Sequence, residues 1–267
     1  MKIAIEAFSL SSEKITGIGN VTLNYLKGLE AADTRNTYFI YTIDGLLHFK
    51  TEKSNWKHVQ YDCGVKREKY RIIDEWKRLR DAPSKSVFTS LRILRLRFVK
   101  MALEAADRTC LYFWLARSLK RNGIDIYLGI FADFFPLYFF SRVKKIWLIH
   151  DLVWKLYPET TDINGFLKKR LIVRNMKRAD LLLSVSESTR RDLRDLLKIR
   201  TEIVTLHNAA DPSLFCRAGE QAVRRVKKRS GITKTYTLSV CTLEPRKHLP
   251  ALLAAFERLN YLDGHQL

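Results

Sequence analysis

Short apolar segments alternate with longer helical ones along most of this 267-residue chain, and that alternation limits the architectures open to it. KIAIEAF (2–8), TYFIYTI (37–43), HVQYD (58–62), IDIYLGI (124–130), KIWLIHD (145–151), LLLSVS (181–186) and EIVTLHN (202–208) read as strands, short and rich in β-branched and aromatic residues. Residues 20–33, 164–179 and 186–197 read as helices. Strands separated by helices cannot pair as hairpins; crossovers bring them parallel, with helices over both faces. The expected fold is therefore α/β, a doubly wound, Rossmann-like parallel sheet.

Near residue 211 the pattern changes. DPSLFCRAGEQAVRRVKKRSGI is turn-like, then basic and helical, and YTLSVCTL (236–243) resumes as a strand. The expected organisation is a first domain over 1–211, with a basic helical insertion at about 64–121, then a linker and the first strand and helix of a second Rossmann-like domain over 212–267. One strand and one helix cannot bury a sheet face, so Leu252, Leu253 and Phe256 are expected to be exposed unless something covers them.

Composition removes several classes. Apolar content of 46% with 11% aromatics is too rich for disorder, and no apolar run reaches the length of a membrane-spanning helix. The opening MKIAIEAFSL reads as a strand and not as a cleavable signal, so a cytoplasmic address is expected. Cys63, Cys110, Cys216 and Cys241 lack the spacing of a zinc site or a disulfide frame and are expected to be reduced thiols. No repeat of solenoid length is present.

The net charge of +20 is unevenly placed. Residues 66–121 hold 16 Lys plus Arg against 6 Asp plus Glu, half of the excess. Charge of this size attracts nucleic acid, anionic headgroups or phosphorylated substrates, and it reads equally as solvated helix faces. Helix-turn-helix, RNP, KH and zinc-finger spacings are absent, so nucleic-acid binding is the lesser alternative and no nucleic-acid partner is expected. Within the basic stretch, SLRILRLRFVKMAL (90–103) mixes apolar and cationic residues as an interfacial helix does, with the apolar ones spread around the helix so that burial against the domain serves as well.

Four stretches carry candidate chemistry. TGIGN (16–20) follows the first strand and opens a helix; its glycines allow backbone N–H groups near a ligand oxygen, or simply a tight turn. It lacks the third glycine of a dinucleotide fingerprint, since position 22 is Thr. His150 and Asp151 fall at the carboxyl end of a strand, where open α/β sheets bind ligands; the alternative is a histidine bonded to backbone beside an N-capping aspartate. SVSES (184–188) and LHNAADPSLF (206–215) also follow strands, and there Ser186 reads as an N-cap with Glu187 in the first turn. Glu244, Pro245, Arg246 and Lys247 form a basic turn before a helix, suited to a diphosphate or merely solvated.

Taken in order, the opening strand with TGIGN, IHDLVWKLYPET, SVSESTRRDL, HNAADPSLF and VCTLEPRKHLPALLAAFERL resemble the GT4-like glycosyltransferases of the GT-B fold. The resemblance covers nearly the whole chain and weakens between about 45 and 120. It implies two Rossmann-like domains facing a cleft, acceptor bound mainly by the first and nucleotide-sugar by the second, with retention of anomeric configuration and without bound metal or cofactor. By position, His150 would lie beside the transferred sugar. Gly17 and Gly19, with Asn20 and Asp151, would form the loop near the donor phosphates and acceptor, and Arg246 and Lys247 would neutralise the diphosphate. Ser186, Glu187, Asn208 and Glu244 would support them.

The family's paired glutamates, Glu-x7-Glu, are not found, so the resemblance reads as the first two-thirds of such an enzyme, truncated within the donor domain. The expected partners are a nucleotide-sugar, a sugar or lipid-linked acceptor or a polysaccharide, an anionic membrane surface met through 66–121 at its inner face, and a second chain supplying the donor domain. A catalytically inactive acceptor-domain remnant and one half of a split enzyme are the alternatives.

Overall fold

A computed structural model describes residues 1–11, 14–43, 48–61, 66–81, 87–130, 142–160, 166–212, 214–258 and 265–266. The chain forms two units, residues 1–151 with 167–208, and 152–166 with 209–267. Cys63 lies outside the described residues; Cys110 and Cys241 are free thiols, and both they and Cys216 are exposed.

The first unit is a seven-stranded, wholly parallel sheet. Its strands are β1 (Lys2–Glu6), β2 (Thr37–Ile43), β3 (Trp56–Tyr61), β4 (Ile126–Gly129), β5 (Lys144–Ile149), β6 (Leu181–Ser184) and β7 (Ile203–Thr205), in the spatial order β3-β2-β1-β4-β5-β6-β7. The chain winds outward from β1 to β3, then returns to β4 and winds the other way. That doubly wound order puts a switch point between β1 and β4, and the sheet is Rossmann-like.

All seven strand segments read from the sequence are present, most of them shorter. β2 has the expected bounds because it is buried on both faces, from Tyr38 to Thr42. β7 stops at Thr205 because it pairs on one side only, and the chain beyond it is exposed from Leu206.

Helix α1 (Gly17–Ala32) covers one face, with Leu26 buried against a core of Ile5, Tyr38, Ile40, Trp56 and Leu148. Tyr38 and Trp56 stack across neighbouring strands with ring centroids 4.3 Å apart. The Tyr38 hydroxyl donates to Asp33 at 2.7 Å, fixing the turn from α1 into β2 and holding the Asp33 carboxyl well below the usual range.

The basic stretch becomes two helices, α2 (Lys66–Arg80) and the 36-residue α3 (Val87–Asn122). The last third of α3 covers the other sheet face. Leu111, Leu115 and Leu119, at i, i+4 and i+8, are buried, Trp114 meets Tyr41 edge-on at 5.6 Å, and the Ser118 and Tyr41 hydroxyls lie 3.1 Å apart. The apolar residues of α3 are thus divided along its length: Leu111, Leu115 and Leu119 are buried on the sheet, while within the stretch read as either interfacial or buried Leu94, Phe98 and Met101 are exposed. Among the described residues no helix is long and apolar enough to cross a membrane.

Two helices follow in the sheet unit, α5 (Phe166–Met176) and α6 (Glu187–Asp195). The second unit holds α4 (Val153–Leu156), α7 (Glu220–Arg229), α8 (Leu249–Glu257) and two strands, β8 (Thr235–Tyr236) and β9 (His265–Gln266), paired in parallel. The strand expected over 236–243 is confined to its first residue, Tyr236. β8 has one short partner, so the ladder does not extend, and Leu238, Val240 and Leu243 are exposed. Of the α8 residues expected at the surface, Leu253 is exposed while Leu252 and Phe256 are half-buried.

The division of α3 is testable by denaturation. Leu115→Ala is expected to lower stability by about 2–5 kcal/mol through the cavity it leaves, and Leu94→Ala, near the exposed start of the helix, to change it by no more than about 0.5 kcal/mol. Equal losses in urea titrations would show that both ends are packed.

Candidate functional site

In a parallel sheet every strand delivers its carboxyl end to the same edge, and the loops there converge at the switch point. On this edge β1 leads through Phe8–Leu10, a 3-10 turn, into the start of α1; β5 leads to His150; β6 leads to Ser186 and α6.

At the α1 entrance Thr16 is the N-cap, its hydroxyl accepting from the Gly19 N–H at 3.3 Å. The helix begins at Gly17, three residues ahead of the sequence expectation, so TGIGN forms its first turn and not a loop before it. The capping threonine explains the earlier start. The two glycines differ. A Cβ at Gly19 would lie 2.8 Å from Ile15 Cγ2 and 3.1 Å from the Ser9 carbonyl oxygen, so this glycine lets α1 close onto the Phe8–Leu10 turn. A Cβ at Gly17 would meet nothing within 4 Å. Gly17 and Asn20 are exposed, and it is there that a ligand could approach backbone N–H groups.

His150 follows β5 and is half-buried. Its Nε2 lies 2.8 Å from the carbonyl oxygen of Ile130, just past β4, so Nε2–H donates and a neutral ring keeps Nδ1 as an acceptor. The backbone-bonded reading of this histidine therefore holds, and the bond fixes the orientation of the ring.

The serine motif supports it from the next strand. Ser186 is the N-cap of α6, accepting from the Thr189 N–H at 3.1 Å, and the Thr189 hydroxyl donates to the His150 carbonyl at 3.2 Å. Asp151 is exposed and the N-cap of α4 is Leu152, so Asp151 does not take the capping place. Glu187 accepts from the Thr205 hydroxyl and lies 3.6 Å from Arg190; the hydrogen bond first, and then the cation, hold its carboxyl below the usual range. Asn208 is exposed beyond β7.

Two groups on this edge escaped sequence reading. Glu6, at the end of β1, is buried, and its Oε2 accepts from the Tyr127 hydroxyl of β4 at 2.6 Å, bridging the switch point. An acid inside an apolar strand was the available signal; its partner, 121 residues away, was not. Thr189 could have been found as the third residue past a serine cap.

In the second unit the basic turn is the 3-10 segment Pro245–Lys247, leading into α8 through His248, which sits at φ 53°. Glu244 accepts from the Thr242 hydroxyl at 2.7 Å and from Arg246 Nε at 2.6 Å, which together lower its pKa, the threonine contributing most. The Glu244 bond uses only Nε of Arg246, and Lys247 is exposed. No group of three His, Cys, Asp or Glu among the described residues could hold a metal ion.

The model of the family described as Glycosyltransferase Family 4 matches residues 15–214, which include the α1 entrance, His150 and Ser186. No curated protein matches the chain. Of solved structures, Anabaena HepE in complex with UDP is similar at 12% identity and a TM-score of 0.49, over 90% of this chain and 53% of that one. HepE in complex with UDP-glucose is similar at 11% identity and a TM-score of 0.47, over 100% of this chain and 68% of that one. The chain spans about half the length of the first of these.

The contrast between the two glycines gives a test. Gly19→Ala is expected to cost about 1–3 kcal/mol by pushing α1 off the Phe8–Leu10 turn, and Gly17→Ala to leave stability within about 0.5 kcal/mol. Chemical denaturation reads both, and a harmless Gly19→Ala would contradict the close approach.

Proposed function

Because the chain belongs to Glycosyltransferase Family 4, we propose that it takes part in transfer of a sugar from a nucleotide-sugar to an acceptor hydroxyl, with retention of anomeric configuration. The observation that carries this reading is His150, held at the carboxyl edge of the sheet with Nε2–H on the Ile130 carbonyl and Nδ1 left as an acceptor. In the transfer, the bond from the anomeric carbon to the diphosphate breaks, one to the acceptor oxygen forms, and the acceptor proton passes to an oxygen of the departing diphosphate. His150 orients the transferred sugar, while Gly17, Gly19, Asn20 and Asp151 line the approach of acceptor and phosphates.

The departing nucleoside diphosphate gains negative charge as it leaves, and cations already in place stabilise it. Arg246 and Lys247 have that role in this reading. Glu244 steadies Arg246 through Nε and leaves the terminal amines to bind oxygens. Ser186, Glu187 and Asn208 act indirectly, by shaping the loops around His150. The nucleotide-sugar is a substrate, and the reading needs no cofactor or metal. The acceptor hydroxyl belongs to a sugar, carried on a lipid or in a polysaccharide, met on the cytoplasmic side at the inner face of a membrane.

The exposed Leu238, Val240 and Leu243 favour a second reading, in which the chain is the acceptor-side half of an enzyme whose donor side is completed by a second chain, or an inactive remnant. One assay separates the two. If the chain is competent, UDP-glucose and other nucleotide-sugars release nucleoside diphosphate in its presence. His150→Gln, which keeps an amide donor toward Ile130 but loses the ring acceptor, is then expected to lower kcat by about 10²–10³-fold at unchanged stability. Turnover unaffected by His150→Gln would overturn the role given to His150, and absence of turnover from the wild-type chain would favour the second reading.

A further inference from the structure

Helix α3 has two unlike ends. Its last third is buried on the sheet through Leu111, Leu115 and Leu119. Its first half carries Leu94, Phe98 and Met101, spaced i, i+4 and i+7 on one face and 48%, 63% and 56% exposed. Helix α2 braces the other side. Arg92 bonds Glu75 at 2.5 Å, and Lys100 Nζ lies 4.5 Å over the Trp76 ring. Arg92 and Lys100 are well round the helix from the apolar face, which α2 therefore leaves uncovered.

Exposed Arg95 and Arg97 flank that face, in the stretch that holds half of the chain's positive excess. An apolar stripe of this kind needs an apolar medium to cover it, and arginines at its margins need anions at the depth where their stems end. Duplex nucleic acid supplies the anions but offers no apolar medium for Leu94, Phe98 and Met101. A bilayer surface containing anionic lipid supplies both.

We propose that the exposed face of α3 around Leu94, Phe98 and Met101, with Arg95 and Arg97, is a docking surface for an anionic lipid bilayer, on which the helix lies in the interface. The surface deepens the membrane location that the transferase reading includes; it is argued from α3 alone, and its test involves no turnover, so it can fail without that reading failing.

The full chain is sedimented with vesicles of phosphatidylcholine alone and of phosphatidylcholine with phosphatidylglycerol, at low and high salt. The expected result is retention by the phosphatidylglycerol vesicles that weakens as salt rises. The double variant Leu94→Ser/Phe98→Ser is expected to reduce retention about tenfold or more, since two apolar side chains are withdrawn from the interface. Arg95→Glu/Arg97→Glu, at exposed positions of the same helix, provides the second variant and is expected to abolish the preference for anionic lipid. Leu243→Ser, an exposed apolar position outside α2 and α3, is the control and is expected to leave retention unchanged. Equal retention by neutral vesicles, wild-type retention by both double variants, or retention by duplex DNA but not by vesicles would overturn the proposal.

Discussion

Parallel pairing of seven strands is the constraint on which the rest of this structure depends. Because every strand runs the same way, every carboxyl end reaches one edge, and residues far apart in sequence become neighbours there. The register decides which ones. Ala4 pairs with Tyr127, so Tyr127 and Glu6 share a face, and their bond crosses the point where the winding reverses. β4 and β5 pair with Gly129 opposite Trp147, so that just past the two strands the Ile130 carbonyl comes within reach of His150. Both sheet faces need cover, and α1 and α3 provide it.

A single bond at His150 joins the ends of two neighbouring strands and orients the ring. A buried backbone carbonyl at the end of β4 gains a donor in Nε2–H, and the same bond fixes which nitrogen of the ring is left to accept. Behind it, the α6 cap reaches back through the Thr189 hydroxyl to the His150 carbonyl. The loops at the carboxyl edge are therefore tied to one another as well as to their own strands, which limits the movement of any group that acts there.

The sheet was legible because its strands are apolar, short and separated by helical segments, a pattern with few solutions. TYFIYTI showed its bounds because both of its faces are buried. Ser186 was legible as a cap, since serine before a helix satisfies a free N–H wherever it occurs. Other features depend on neighbours that sequence order hides. Whether YTLSVCTL extends as a strand depends on a partner, and β9 pairs with only its first residue, Tyr236, and with Thr235 before it. The bonds of Glu6 to Tyr127 and of His150 to Ile130 depend on register across the sheet, and the two unlike ends of α3 on where it leaves the sheet face.

The most direct test of the account is the state of the His150 ring, read by ¹⁵N-edited NMR of the imidazole in the full chain near neutral pH. The account predicts a proton held on Nε2 against the Ile130 carbonyl, and a shift at Nδ1 when a nucleotide-sugar or acceptor sugar is added. A ring without the proton on Nε2, or one indifferent to both ligands, would contradict it and leave His150 as a packing residue at the edge of the sheet.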